Sequence, residues 1–450
     1  MPRLLLALVG ALLLAAPAGA AEPVPGRDFR RGEVVLRTDS GMRVKRIRDG
    51  STVFEKAARL VQRPTVKTAT PNWIARASFL PDDPGRRGVA GAWTALQWNF
   101  ADSVAGVNAP AAWDNLIAAG RPGGKGVVVA VLDTGVAYRN YENFRRSPDL
   151  KPRLRTGYDF VDNDRFPLDH NGHGTHIAST ISESVDNGVG LTGLAYGATL
   201  MPVRVLDRRG AGDSAAIASG IRFAAKRGAK VINLSFEFPS FVRPARIPDI
   251  LSALRYARSQ GALVVAASGN ASARAIAYPA RADNVLSVGA TTEHGCQAEY
   301  SNTGLGLDLT APGGGQDAIL PGDANCDPDA APGRDIFQVT FTGSVRRFGI
   351  PGGFEGTSMA APHVSATAAL VIASGVLGGN PTPRALEKRL ERTAFDLGKV
   401  GTDRRYGAGR VDAAAATARA TPVPEPTPTP TATPTVTATA TPSPAPTPTP

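Results

Sequence analysis

The chain alternates short apolar, β-rich runs with longer stretches of helical spacing. The apolar runs fall at residues 126–132, 200–206, 231–234, 262–267 and 285–288, and the helical stretches at 175–184, 214–226, 247–260, 358–374 and 383–392. Continuous apolar runs, rather than strict apolar-polar alternation, mark strands buried on both faces. Strand and helix in regular succession predict an α/β domain over residues 96–420, a mostly parallel sheet flanked by helices on both faces. In open sheets of this kind, ligands bind beyond the carboxyl ends of the strands. Asp133, Ser235 and Asn270 each follow a strand-like run closely, so the pattern predicts all three on one edge of the sheet.

The flanking segments differ. Residues 33–37 read as a strand, 51–62 as a helix and 73–79 as a second strand, a small α+β unit of a size that barely folds alone. A Gly/Pro/Arg-rich stretch at 81–91 reads as an exposed, cleavable linker. Arg3, an apolar run over residues 4–16 and the small residues Ala18-Gly19-Ala20 read as a secretory signal peptide ending at residue 20. Residues 421–450 are Pro/Thr repeats that cannot bury enough surface to fold. The expected division is therefore 1–20 signal, 21–95 a small domain with its linker, 96–420 the main domain and 421–450 a disordered tail.

Composition narrows the function. The net charge of +11 is carried by scattered arginine pairs with no aromatic interleaving, which excludes a nucleic-acid surface. No apolar run after the N-terminus has the length of a transmembrane helix. Cys296 and Cys326 can form one disulfide in an exported chain, and their spacing leaves open whether they do.

The candidate chemistry lies in three motifs: Asp133-Thr134-Gly135, His173-Gly174-Thr175-His176 and Gly356-Thr357-Ser358-Met359. A serine hydroxyl attacks an amide only when a base takes its proton, and the base needs a carboxylate to fix its tautomer. The order Asp133, His173, Ser358 supplies orienter, base and nucleophile in one of the known chain orders for this machinery. Ser358 opening an apolar helix is favourable too, because a helix N-terminus stabilises developing negative charge. His170, His173 and His176 with Asp169 also raise a zinc site, but an imidazole engaged with Asp133 and Ser358 has no nitrogen left for a metal.

These motifs, extended to Asn171-Gly172 before His173 and Ala360-Ala361-Pro362-His363 after Met359, resemble those of the subtilisin-type (subtilase) serine peptidases over about residues 98–416. The resemblance implies the subtilisin-like α/β fold and endopeptidase activity of broad specificity in a secreted or envelope-associated, monomeric enzyme. It implies that Asn270 donates to the oxyanion, and that Ser235, Phe236 and Glu237 with Ala267, Ser268 and Gly269 bind the substrate as an added strand. Glu237 stands where a small residue is usual. It either confers a preference for basic side chains or points to solvent. Residues 71–98 resemble a propeptide junction, so the unit at 21–79 is expected to act as an intramolecular inhibitor that the enzyme removes by cutting within residues 80–97. Asp162, Asp164 and Asp169, and the loop with Asp186 and Asn187, lie where relatives hold structural calcium and read equally well as solvated turns. Two other classes remain open on the sequence: a catalytically silent binding protein of the same fold, and an esterase using the same three groups. Residues 313–353 have no assignment.

Overall fold

The computed structural model describes residues 29–73, 79–151, 153–327, 329 and 331–419, so the expected signal peptide and tail lie outside the described residues. Along its sequence the chain divides into two compact units, the boundary falling after residue 74.

In the first unit, β1 (Phe29–Thr38), β2 (Gly41–Arg46) and β3 (Thr68–Trp73) form an antiparallel sheet in the order β2-β1-β3, with α1 (Val53–Val61) between β2 and β3 in the chain. Thr52 and Glu55 close a reciprocal capping box that fixes the start of α1. Val53, Ala57 and Leu60 of the helix bury against Phe29, Val34 and Leu36 of the sheet. β3 pairs with β1 through Val34–Pro71 and Leu36–Ala69, and residues 74–78 of the strand expected at 73–79 lie outside the described residues. Phe79 belongs to the second unit, where its ring lies 6.1 Å from Trp113 and 5.6 Å from Tyr196.

The first α-helix of the second unit is α2 (Ala109–Ala118), which the sequence pattern missed; it buries Ala109, Ala112, Trp113 and Leu116. Its sheet comprises β4 (Val128–Asp133), β5 (Arg153–Leu154), β6 (Tyr158–Asp159), β7 (Thr199–Arg204), β8 (Val231–Leu234), β9 (Leu263–Ala267), β10 (Leu286–Thr291) and β11 (Leu309–Pro312). The order is β11-β10-β9-β8-β4-β7-β5, with β6 also on β7, and every pairing is parallel. The helices are α3 (His173–Ser182), α4 (Ser214–Lys226), α5 (Pro248–Ser259), α6 (Thr357–Ser374), α7 (Pro383–Arg392) and α8 (Ala413–Thr417), and a short hairpin joins β12 (Thr340–Phe341) to β13 (Phe348–Gly349). The strand period of two decides the layers. Val129 and Val131 of β4 and Val265 of β9 face α2, α3 and α6, whereas Ala130, Leu132 and Val264 face α4 and α5. Both faces are therefore apolar, which is why the strands read as continuous runs.

β4 pairs with β7 on one side and β8 on the other, although β7 and β8 follow it in sequence with a helix between each. The chain switches direction of progress across the sheet at β4, and a crevice opens beyond its carboxyl end. Helix α6 is the central helix, almost wholly buried, hydrophobic around its circumference and headed by Thr357 and Ser358.

The stretch at 81–91 is exposed at Asp82 and over residues 86–90, as expected, but it is also anchored. Asp83 is buried and accepts the N–H groups of Asp186 (3.2 Å) and Asn187 (3.3 Å), Gly85 N–H donates to Gly190 O (2.8 Å), and the Trp93 indole donates to Pro81 O (2.7 Å). Its Gly/Pro content serves these tight turns rather than mobility. Cys296 and Cys326 are joined in a disulfide with a sequence separation of 30, which ties the first part of the unassigned insertion, where Cys326 lies, to the chain ahead of it.

Candidate active site

The switch point gathers the three motifs. Asp133 ends β4 fully buried, and its Oδ1 accepts the Thr134 N–H (2.7 Å) and the His173 Nδ1–H (2.7 Å). Its Oδ2 is buried with no partner, so the imidazole proton is the main counterweight to the carboxylate charge. Holding Nδ1 as the donor leaves Nε2 free as a base. His173 is 24% exposed at the side chain. Burial opposes its protonation, but the Asp133 carboxylate outweighs that, and the imidazole pKa is raised above its ordinary value.

α3 can begin this close to β4 because residue 174 is glycine: a Cβ there would collide with Gly135 O and press on Asp133. The first turn of α3 needs partners for its free N–H groups. Asp169 supplies them, with Oδ1 accepting from Asn171 N–H (2.8 Å), Gly172 N–H (2.9 Å) and the Thr134 hydroxyl (2.9 Å), and Oδ2 from Thr175 N–H (2.9 Å) and its hydroxyl (2.6 Å). Thr134 Oγ1 in turn accepts the Gly174 N–H at 2.9 Å. The Asp133 and His173 motifs are thus locked to one another through Asp169.

In the first acidic stretch expected to hold calcium, Asp169 accepts five hydrogen bonds, Asp162 is ion-paired with Arg204, and Asp164 Oδ1 accepts the Phe166 N–H at 2.7 Å. The second loop is different: beside Asn187, whose amide donates to Asp149 Oδ1 (2.7 Å), lie buried Asp83, Asp149 and Glu183. Burial pushes Asp83 up to about 6 and Asp149 up to about 7, and raises Glu183 well above its usual range. Asp186 Oδ1 accepts Asp82 N–H at 2.9 Å. Burial thus disfavours the charged forms of these carboxyls, and a cation among their hard oxygens would offset that cost, although among the described residues no three His, Cys, Asp or Glu side chains are arranged around one point for a metal. The zinc reading fails because its histidines diverge. His170 packs on Phe144, His173 is on Asp133, and His176 stacks on Phe354 with Nε2 on Ile336 O (2.9 Å), its pKa lowered to about 3 by burial.

On the facing side, Ser358 is the second residue of α6, and its hydroxyl donates to Ser235 O at 3.0 Å rather than to the imidazole. Pro362 has no N–H, so the Ser358 carbonyl lacks its helical donor. The Ser235 hydroxyl fills that place at 2.8 Å. Asn270 Oδ1 accepts both the N–H and the hydroxyl of Thr357 (2.8 Å each). With the amide oxygen so engaged, its Nδ2 is left as a donor, and the Ser358 N–H, as a first-turn helical N–H, has no intrahelical partner.

Sequence reasoning missed what holds Asn270. Asn302 is fully buried; its Oδ1 accepts the N–H groups of Ala271 (3.0 Å) and Ala273 (2.9 Å), and its Nδ2 donates to Ser268 O (3.1 Å). A Cβ on Gly269 would strike this amide and Glu237. Asn302 reads in sequence as a turn residue, and nothing local signals its reach across 31 residues. Glu237 is exposed, but its Oε1 accepts the Asn270 N–H at 3.0 Å, so it lies over the donor loop rather than pointing away. Phe236 packs partly into the core under α4 and α5, and Ser235, Ala267, Ser268 and Gly269 are buried, so of this set Glu237 is the exposed residue. The insertion also reaches the site: Thr340 Oγ1 donates to Gly172 O at 2.6 Å.

The arrangement can orient an imidazole, present a hydroxyl at a helix N-terminus and receive an oxyanion between two N–H donors. The comparisons with known proteins agree with it. The Subtilase family matches residues 124–409. The chain is 37% identical over 312 residues to subtilisin Savinase of Lederbergia lenta, spanning 69% of this chain and 96% of that protein. It is 33% identical over 348 residues to a thermophilic serine proteinase of Bacillus sp. (strain AK1), spanning 77% and 72%. Among solved structures, a protease from Pseudoalteromonas arctica PAMC 21717 superposes with a TM-score of 0.60 at 30% identity, covering 76% of this chain and all of that one. The chain belongs to the subtilase family and is a subtilisin-like serine protease.

Proposed function

We propose that the protein is a secreted endopeptidase of broad specificity in which Ser358 attacks the peptide carbonyl, His173 takes the hydroxyl proton and Asp133 orients the imidazole. The observation that carries this reading is the 2.7 Å bond from the His173 ring to buried Asp133, set opposite a helix-start serine. The Ser358 hydroxyl rotates from the Ser235 carbonyl to the free Nε2 when substrate enters, and attack yields a tetrahedral oxyanion between Asn270 Nδ2 and the Ser358 N–H. His173 then returns the proton to the leaving amine, and water hydrolyses the acyl-enzyme by the same steps reversed. Substrate lies along Ser235 to Glu237 and Gly269 as an added strand, a mode that draws affinity from backbone groups and so tolerates many sequences.

The small unit at the N-terminus acts as the enzyme's own inhibitor and is removed by self-cleavage. Because residues 81–93 are tied into the protease unit, the cut falls ahead of Asp82 rather than throughout 80–97. Calcium is held at the 186–190 loop by Asp83, Asp149 and Asn187 and stabilises the fold without entering the chemistry; a fall in melting temperature with EDTA, reversed by Ca²⁺, tests this. The enzyme is a monomer. Expression of wild type and Ser358→Ala with a casein assay and N-terminal sequencing tests the whole reading: only the wild type digests casein and loses its N-terminal unit. Casein turnover or maturation by the Ser358→Ala protein overturns it, and hydrolysis of short esters without casein turnover points to the esterase instead.

A further inference from the structure

Two segments border His173 that no motif assigned: the loop at residues 138–147 and the hairpin β12–β13. They are joined to each other, Arg145 N–H donating to Val345 O (3.2 Å) and Arg346 Nε to Asn143 O (3.0 Å). The hairpin is fixed to the base side of the site, because Thr340 Oγ1 donates to the carbonyl of Gly172 and Phe341 packs 3.3 Å from where a Gly172 Cβ would lie. Together the segments carry Arg139, Arg145, Arg146, Arg346 and Arg347, all exposed. None is ion-paired with a carboxylate among the described residues. Their contacts are with uncharged groups: Arg145 reaches Glu142 O (3.1 Å) and Phe144 O (3.0 Å), Arg346 also donates to the Asn143 side-chain oxygen, and Arg139 lies over Tyr141 and Phe166 (5.7 and 5.4 Å). Glu142 is the only carboxylate in either segment, so the collar is strongly positive.

The mechanism decides which half of a substrate meets this collar. In acyl transfer the imidazole gives its proton to the leaving amine, so the half of the peptide beyond the scissile bond departs along the His173 side. The acyl half lies on the other side, against Ser235, Glu237 and Asn270. Uncompensated guanidinium groups pair with carboxylates in bidentate geometry, more strongly than lysines do. Resting on the peptidase reading, we infer that the arginine collar of the 138–147 loop and the β12–β13 hairpin is a subsite for acidic side chains on the leaving-group half of the substrate. Peptides with Asp or Glu two or three residues after the cleaved bond are the preferred class. Glu237 on the opposite side gives the cleft a charge gradient along the substrate.

The test uses the full chain and three internally quenched peptides that share one acyl half. Their leaving halves carry Glu-Glu, Gln-Gln or Lys-Lys at the second and third positions after the scissile bond. The expected order of kcat/KM is Glu, Gln, Lys, spanning about tenfold at low ionic strength and collapsing below about twofold in 1 M salt. Arg146→Gln with Arg347→Gln, whose guanidinium groups make no hydrogen bond among the described residues, compresses the span to about twofold, whereas the Arg→Lys pair retains most of it. Should the Gln pair fail to fold, the Lys pair and the salt series on wild type still decide. Equal rates on the three peptides, or a Glu preference indifferent to salt and to the Gln pair, overturns the inference. Failure to cleave any of the three strikes instead at the peptidase reading.

Discussion

On the base side of the cleft, Asp133, Thr134, Asp169, Gly172, His173 and Thr175 hold one another through contacts spanning at most 40 residues of chain. On the oxyanion side, Ser358 and Thr357 are positioned by Ser235 and Asn270 across separations of 123 and 87 residues, and Asn270 in turn by Glu237 and Asn302. The first side is a local clamp in which a buried carboxylate caps the helix that bears the base. The second exists only when α6 is docked against β8, β9 and β10. Disturbing the packing of α6 should therefore disable acyl transfer before it loosens the Asp133–His173 pair.

The largest expected effect breaks the base side. Asp133→Asn should keep the fold but lower kcat by about 10⁴, because the imidazole loses its oriented tautomer. Its pH profile carries a second signature. Activity needs neutral His173, and the Asp133 carboxylate raises the pKa, so wild-type kcat/KM falls as pH drops through a value above the ordinary histidine range. In Asp133→Asn that acid limb should move to lower pH, and a limb that stays put would mean another group titrates. Next, Asn270→Ala should cost about 10²–10³ in kcat with little change in KM, measured on a single peptide substrate. A matching loss in KM would place Asn270 in ground-state binding instead.

Asn302→Ala sharpens the comparison, since it touches no substrate. It leaves the N–H groups of Ala271 and Ala273 without their acceptor, at a cost of about 1–3 kcal/mol for the unsatisfied groups, while the Ser268 carbonyl keeps the Ala277 N–H. Displacement of the Asn270 amide should lower kcat by about tenfold to a hundredfold while the acid limb of the pH profile stays where it is. A shifted limb would show that the two sides are not separately assembled. The smallest effect is expected for Glu237→Gln, which keeps an acceptor for the Asn270 N–H and removes only charge. Preference for Lys or Arg over Gln in the acyl half should fall by about threefold, read from paired peptides.

How far the chain could be read before its structure follows the same division. The strands at 231–234 and the helices at 214–226 and 383–392 fall where periodicity put them, because strands apolar on both faces and helices beside them leave plain patterns. Asp133, His173 and Ser358 were legible as motifs, each tied to an element boundary. Asn302 and the donor role of Ser235 toward the Ser358 carbonyl were not, because each acts through a tertiary contact with no local spacing to reveal it. Two further tertiary contacts were equally hidden: Arg204 reaches Asp162 from another strand, and the 186–190 loop holds Asp83 within the 81–91 stretch. The hairpin that brings arginines beside His173 lies in an insertion whose Gly, Asp and Pro content gave no element at all.

The most direct measurement is active-site labelling with a fluorophosphonate, followed by peptide mass mapping of wild type, Ser358→Ala and Asn302→Ala. A single adduct on the peptide containing Ser358 in wild type, none in Ser358→Ala, and slower but identically placed labelling in Asn302→Ala is the result predicted here. Labelling that persists in Ser358→Ala, or no labelling of a folded wild-type protein, would contradict the assignment of Ser358 as the nucleophile.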